Sequence, residues 1–550
     1  MSSTLYRNGV IHSPADPFAE AVLVSDGTIA WIGANDTADG LAANADEVVD
    51  LDGALVAPAF VDAHAHALET GLAIDGLDLS ASTGVRSLAD ALDAVRRAAD
   101  AARAAGADGP LLGHGWDEQD WPEGRPPTRD ELDAAAGGAP VYLARVDVHS
   151  AVVSTSFADV AGLVGLPGWD TDGLLVRDAH HAAREAARDV PTERREQLYR
   201  TALQSAAAAG IVSLHEHSAP HIDTRDGLRA LLGLTADVRT AHLPHVVGYR
   251  GELCETTDDA RELLGAIPGL TGIGGDLNVD GSLGSRTAAL RYPYTDLPPD
   301  SSHRGALYLS AGQISNHVAS VTRAGSHAGF HVIGDRAMDE LLLGLRAAAD
   351  VEGLSAVRSA GHRLEHAEMI DAPTLAALVL LGIRLSVQPA FDAAWGGAAG
   401  MYAARLGEGR AAALNPLADL AGAGVPMAFG SDSPVTRFDP WGGVAAAVAH
   451  HEKDQRISAR AAFRAHTRGG WRLAGLDHTG AGEIRVGAPA HLALWRAEHL
   501  VVQAADGRVS AWSTDARSGT PLLPEVGPDA PAPQCLRTVR DGVVIHDALG

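Results

Sequence analysis

The stretch Val56-Ala57-Pro58-Ala59-Phe60-Val61-Asp62-Ala63-His64-Ala65-His66 carries an apolar, strand-like run into two histidines spaced i and i+2. Side chains at that spacing lie on one side of a strand, so both imidazoles can reach the same metal ion. An HxH alone reads equally as a surface or structural pair. The chain holds 25 histidines, and His215-Glu216-His217 repeats the pattern. What decides the fold is the position of the pair. Polar residues at the C-terminal tip of an apolar strand are how a (β/α)8 barrel assembles a site.

The same ending recurs along the chain. Leu55–His66, Ile211–His217, Arg239–Val247, Gly272–Asp280, Ala328–Ile333, His362–Ala367, Ile383–Gln388 and Pro426–Asp432 read as eight strands. Ala/Leu/Arg-rich helical stretches separate them, the pattern of βα units. The expected fold is α/β: a (β/α)8 TIM-like barrel over residues 58–479. The first and second strands are separated by about 130 residues more than an ordinary crossover needs. That excess holds helical stretches (Ser87–Ala105, Thr192–Ala209) and the strand-like Val141–Val146, so residues 75–205 read as an inserted subdomain. Both ends are β-rich. Ala21–Val24, Ile29–Ile32 and Val48–Val56 are punctuated by Asp26-Gly27 and Asp52-Gly53. His491–Trp495, Val509–Trp512 and Val539–His546 are broken by Asp506-Gly507 and Asp541-Gly542. Residues 1–57 and 480–550 are therefore expected to form one small β-sandwich domain.

Composition narrows the function. The 550 residues carry 43 Lys+Arg against 70 Asp+Glu, a formal charge of −27. Such a surface disfavours nucleic acid and anionic membranes as partners and leaves a small-molecule substrate. Two cysteines, Cys254 and Cys535, exclude a disulfide scaffold and a thiolate zinc site. The N-terminus lacks a basic region followed by an apolar run, and no stretch of about 18 apolar residues appears, so a soluble cytoplasmic protein is expected. No GxSxG elbow, Walker loop or dinucleotide fingerprint stands in the right context.

Three more residues join the HxH pair. His331, His366 and Asp432 each lie where a barrel strand should stop. Together with His64 and His66 they supply imidazole and carboxylate ligands suited to a divalent metal, Zn²⁺ first. A buried core histidine explains any one of them; it explains all of them poorly.

These residues also carry a resemblance. The Pro58–His66 run is similar to the first-strand signature of the amidohydrolase superfamily. Asp280-Gly281-Ser282-Leu283-Gly284-Ser285-Arg286-Thr287-Ala288, His331-Val332-Ile333-Gly334-Asp335-Arg336-Ala337, Arg363-Leu364-Glu365-His366-Ala367 and Gly430-Ser431-Asp432-Ser433-Pro434 resemble amidohydrolase family 3, the branch that includes N-substituted formamide deformylase. Gly115-Trp116-Asp117, Pro127-Thr128-Arg129 and Arg145-Val146-Asp147-Val148-His149 in the insert agree with it. The resemblance implies a metal-dependent hydrolase of carbon–nitrogen bonds other than peptide bonds, of amide, N-formyl or cyclic amide type. It implies that His64, His66 and Asp432 hold the catalytic metal. His331 and His366 would be further ligands, or His366 a partner of the substrate carbonyl. Asp432 would take a proton from the attacking water and pass it to the leaving amine. The oligomeric state is open, and a homodimer is one option by analogy with the superfamily.

The chain departs from the family at one point. Binuclear members bridge two metals with a carboxylated lysine from the fourth strand, four residues before the Asp-Gly-Ser motif. Here that position is Asp276, and the chain's single lysine, Lys453, lies beyond the eighth strand in a polar run. No carboxylated lysine is expected. An aspartate arm reads as too short to take its place, which leaves three readings. The site holds one ion, the reading favoured here; another carboxylate bridges, with Glu216 the first candidate; or the site is degenerate. Glu216 and Asp276 also suit a role in orienting imidazoles. Arg286, Gln388 and Trp116 are candidate substrate contacts, with a structural salt bridge or a folding role as the alternatives. The same barrel could instead run a hydratase, isomerase or decarboxylase reaction, or persist as a metal-poor binding protein.

Overall fold

Two four-stranded parallel sheets form the centre of the computed structural model, which describes residues 2–107, 109–503, 512–513, 520–527 and 530–549. The first sheet contains β1 (Phe60–Ala65), β2 (Ile211–Ser218), β3 (His245–Arg250) and β4 (Leu270–Ile273). The second contains β5 (Gly329–Val332), β6 (Arg363–His366), β7 (Arg384–Val387) and β8 (Met427–Phe429). Each strand runs parallel to its sequential neighbour within its sheet. Parallel bridges join the sheets at both edges, Ile273 to Ala328 on one side and Ala65 to Ser433 on the other. The arrangement is TIM-like, with helices between successive strands.

Alternation along each strand sorts the side chains. Phe330 and Val332 of β5 and Leu364 of β6 join a core with Leu341 and Leu345 of the helix Asp335–Glu352. His331, Arg363 and Glu365 then face the opposite side, the interior of the strand array. The outer layer is apolar and the inner one is polar and fully buried.

The strand-like run at 55–66 divides. Leu55–Pro58 pairs with Val10–Ile11 and Leu492–Arg496, while Phe60–Ala65 pairs with β2. The switch falls at Ala59, whose N–H donates to His491 O, whereas the next N–H, Phe60, donates to Gly210 O. Leu55–Pro58 belongs to a five-stranded sheet completed by Gln534–Arg540 and Val543–Asp547, so both chain ends build it. A four-stranded sheet of Thr28–Gly33, Ala21–Ser25, Ser3–Arg7 and Glu47–Asp50 shares a core with it, including Tyr6, Val22, Ile29, Val56, Leu492 and Val539. The expected strand Val509–Trp512 lies, apart from Trp512, outside the described residues.

Between β1 and β2 the chain forms a separate five-stranded sheet of Leu77–Asp78, Leu111–Trp116, Val141–Arg145, Ser150–Val153 and Leu174–Val176. The helix Leu88–Ala105 packs on it, started by Ser87, whose hydroxyl accepts from Asp90 N–H. The helix Thr192–Ala208, read from sequence as part of the insert, instead packs Leu198, Ala202 and Leu203 against Ala67 and Leu68, just beyond β1.

Two strand readings need correction. Arg239–Val247 is not one strand: Val238–Ala241 is a helical turn capped by Asp237, and β3 starts only at His245. Gly272–Asp280 leaves strand conformation after Ile273, because Gly274 and Gly275 adopt φ of 141° and 83°. Among the described residues no helix is long and apolar enough to cross a membrane.

Candidate metal centre

The C-terminal tips of the strands bring six side chains together. His64 Nε2 lies 3.3 Å from Asp432 Oδ1 and 3.5 Å from Asp276 Oδ1. His66 Nε2 lies 3.2 Å from Asp432 Oδ1 and 3.3 Å from Asp276 Oδ2. His331 Nδ1 sits 3.9 Å from Asp276 Oδ1. The His366 ring centres 4.9 Å from that of His64 and 4.6 Å from that of His331. All five residues proposed from sequence as ligands are therefore neighbours. His64, His366 and Asp432 bring one ligand atom each to within 4.8 Å of one another, as do His64, His66 and Asp276, and Asp276, His331 and His366.

Backbone geometry aims two of them. His366 ends β6 on the parity of Leu364, which faces the helices. A left-handed backbone at His366 (φ 67°) and Ala367 (φ 48°) turns its ring back to the mouth of the strands. Asp432 also adopts φ 56°, and its N–H donates to His64 O at 2.7 Å, tying the segment after β8 to β1. Non-glycine residues rarely adopt such values, and they concentrate at functional sites.

Each imidazole has one nitrogen engaged and one aimed at the cluster. His64 Nδ1 donates to Glu365 Oε2 (2.9 Å), His66 Nδ1 to His217 O (2.9 Å) and His366 Nδ1 to Gln388 Oε1 (2.9 Å). His331 Nε2 faces Gly281 O at 3.4 Å, leaving Nδ1 toward Asp276. This is the outer arrangement that fixes the tautomer of metal-binding histidines. His64 Nε2 and Asp276 Oδ1 are buried with no hydrogen-bond partner. Converging lone pairs without donors suit a cation, so the residues fit a divalent metal.

Electrostatics agree. Burial disfavours a charged His64, yet Asp432, Asp276 and Glu365 hold its pKa well above the ordinary value. His66 is raised as well, against its burial, by Asp276 and Asp432. A proton there answers the same negative field that a metal ion would. Burial and neighbouring histidines keep His331 well below the ordinary range, and burial lowers His366, so both are neutral and ligand-ready. Burial opposes a charged Asp432, but His64 and His66 hold it well below the carboxylate range.

Several sequence expectations change here. Asp276 reaches the centre of the cluster, although its arm reads as too short. The chain itself moves inward at Gly274-Gly275. A Cβ on Gly275 would stand 2.0 Å from His217 Nδ1, and one on Gly274 would stand 2.1 Å from Gly329 O. Only glycine permits that approach. Glu216, the first candidate for a bridge, lies elsewhere. His217 on the same strand faces inward and stacks on His64 (4.1 Å between centroids). Glu216 therefore faces out and accepts from Ala67 N–H at 2.6 Å. Burial pushes its pKa up to about 7.

The candidate substrate contacts each have protein partners. Arg286 pairs with Asp296 (Nη2–Oδ2 2.7 Å). Gln388 orients His366, as above. Trp116 is buried in the insert and donates from Nε1 to Leu143 O at 2.9 Å. The neighbouring Asp117 pairs with Arg145 at 2.6 Å. Lys453 is exposed, in a short 3₁₀ turn.

Sequence reasoning passed over an inner layer below the metal-facing atoms. Arg363 pairs with Glu365 (Nε–Oε1 2.6 Å), donates to Ala63 O (2.8 Å) and stacks its guanidinium over Tyr249 (4.4 Å). Arg363 overcomes the burial of Glu365 and lowers that carboxyl to about 2. The alternation of Arg363 and Glu365 about Leu364 was the available signal. Above the cluster opens a small cavity of about 30 Å³, lined by His149, Ser282, Glu368, Phe391, Trp395 and Tyr402 among others. Burial raises the Glu368 carboxyl to about 7.

The chain is similar to known proteins. A family model described as an amidohydrolase family matches residues 47–546. The N-substituted formamide deformylase of Arthrobacter pascens is 26% identical over 488 residues, covering 82% of this chain and 85% of the relative. The protein LONG AFTER FAR-RED 3 of Arabidopsis thaliana is 26% identical over 514 residues, covering 87% and 84%. A solved structure of an uncharacterized metal-dependent hydrolase from Pyrococcus horikoshii OT3 superposes with a TM-score of 0.69 at 26% identity, covering 90% of this chain and 97% of that one.

Proposed function

The chain belongs to the amidohydrolase family, and from that premise we propose that it is a metal-dependent hydrolase of carbon–nitrogen bonds outside peptides, acting on an amide, N-formyl or cyclic amide. The observation that carries the reading is the convergence of the free nitrogens of His64, His66, His331 and His366 on the carboxylates of Asp276 and Asp432. The architecture we take for it is a closed eight-stranded barrel, a β-sandwich from both termini and an insert after β1.

When bound, a divalent metal such as Zn²⁺ supplies a water of lowered pKa and polarises a carbonyl. The protein supplies the rest. Asp432, held as a carboxylate, accepts a proton from the attacking water and returns it to the leaving nitrogen. Glu365, the His217 carbonyl and Gln388 keep His64, His66 and His366 in fixed tautomers. His149, whose ring centres 5.0 Å from that of His331, is the side chain of the insert best placed to meet a substrate oxygen. Phe391 and Trp395 exclude water from the cavity above.

The test is a panel of N-formyl amines, N-acyl amino acids, cyclic amides and esters, read by mass spectrometry with zinc-loaded, chelated and Asp432→Asn protein. The reading predicts release of an amine from at least one amide by the loaded enzyme alone, with at least a thousandfold loss in Asp432→Asn. Products of unchanged mass, or of mass reduced by carbon dioxide, would identify an isomerase or decarboxylase instead. No turnover of any C–N substrate by zinc-, manganese- or iron-loaded protein would overturn it.

A further inference from the structure

We propose that this centre holds two divalent ions bridged by the carboxylate of Asp276, and that it assembles without carbon dioxide. The inference rests on the metal-dependent reading above but says more than it. Six donor residues converge here, whereas a catalytic zinc takes about three protein ligands and keeps a position for water. One ion leaves three donors unused; two ions, about 3.5–4 Å apart, use all six.

Of the three donor sets that converge here, two share Asp276, and the third, His64, His366 and Asp432, runs between them. His64, His66 and Asp276 form one set, with Asp432 in reach of both imidazoles. Asp276, His331 and His366 form the other. The two carboxylate oxygens of Asp276 face different imidazoles, and Oδ1 stands between the two sets. Oδ2 faces His66 at 3.3 Å, while Oδ1 lies 3.5 Å from His64 and 3.9 Å from His331, buried and without a donor.

The single lysine is exposed on a turn beyond β8, so a carbamate formed from carbon dioxide and a lysine amine is unavailable. A lysine reaches the centre of a barrel with its side chain; here the main chain makes that approach. Gly274 and Gly275 carry the backbone to within a Cβ radius of Gly329 and His217, and the short carboxylate of Asp276 covers the remaining distance. The glycine pair and the aspartate act as one unit.

The test loads full-length apoprotein with Mn²⁺ or Zn²⁺ in buffer stripped of carbon dioxide. Metal content is measured after desalting, and the manganese form is examined by electron paramagnetic resonance. Two ions per chain with exchange-coupled manganese, unchanged by added bicarbonate, is the expected result. Asp276→Asn, checked for native circular dichroism, should lose at least one ion and the coupling. One ion per chain in the wild type, an uncoupled six-line manganese signal, or a second ion that appears only with bicarbonate overturns the proposal. The wild-type measurements decide it even where the variant fails to fold. A coupled two-ion centre that hydrolyses nothing refutes the proposed function alone, whereas hydrolysis by a one-ion enzyme refutes this inference alone.

Discussion

Gln388 shows how much of the centre depends on atoms that never face a metal. Its Oε1 accepts from His366 Nδ1 at 2.9 Å, which leaves His366 Nε2 for the cluster. Removing such an outer partner typically weakens metal binding ten- to a hundredfold. Gln388→Ala should do so, measured by competition against a chromophoric chelator, with circular dichroism unchanged. An unaltered affinity would mean that packing against Phe391 (centroids 6.0 Å apart) suffices to hold the ring. At this scale the converging side chains were legible: His64, His66, His331, His366 and Asp432 stand out by residue type at strand ends. Asp276 and Glu216 were both read as bridging or orienting candidates, and only the structure separates their positions, for physical reasons. Reach was judged from side-chain length alone, ignoring that two glycines can bring the backbone in. The direction of Glu216 depends on the parity of β2, which was not traced. Arg286 and Trp116 carry no local mark separating a structural contact from a substrate contact.

At the scale of elements, the turn after β4 and the helix after β1 make opposite demands. Gly275 has φ 83° and no room for a Cβ, so Gly275→Ala should cost roughly 2 kcal/mol or more in denaturant unfolding. It should also lower metal content, since Asp276 moves with the turn. The helix Ala67–Asp75 is locked to the insert by Glu69, which accepts from Arg184 Nε at 2.7 Å and pairs with Arg188. Burial would raise this carboxyl, but the two guanidiniums lower it from the ordinary 4.5 to about 2. A depressed folded-state pKa stabilises the fold above the unfolded value. That contribution, on the order of 3 kcal/mol, is lost as the pH falls from about 4.5 to 2. Glu69→Gln should remove this acid-limb dependence and lower stability at pH 7 by a similar amount, seen in urea titrations across that range. An unchanged pH profile would count against the assignment. Most strands of the two central sheets were readable because apolar runs ended in polar residues; β3 was misplaced because a single capped turn at Val238–Ala241 has no period to detect.

For the whole molecule, candidate ligands drawn from β1, the β4 turn, β5, β6 and the segment after β8 would make metal binding a property of the assembled strands. Metal that binds only the folded state stabilises it by about 2.7 kcal/mol at a hundredfold excess over Kd. Zinc should raise Tm by several degrees in scanning calorimetry, chelation should reverse the shift, and His64→Ala should abolish it. A zinc effect that persists in His64→Ala would place the binding elsewhere. The sheets at the chain ends and between β1 and β2 could be anticipated from β-rich ends and an overlong crossover, while the division into domains is a proposal. The placement of Thr192–Ala208 in the outer layer could not, because its apolar face is the same whichever neighbour it covers. The most direct test of the account is anomalous diffraction at the zinc absorption edge from crystals of the loaded protein. It predicts density about 2.0–2.2 Å from His64, His66 and Asp432, with Asp276 in the same coordination sphere. An empty cluster in crystals that bind zinc elsewhere would contradict it.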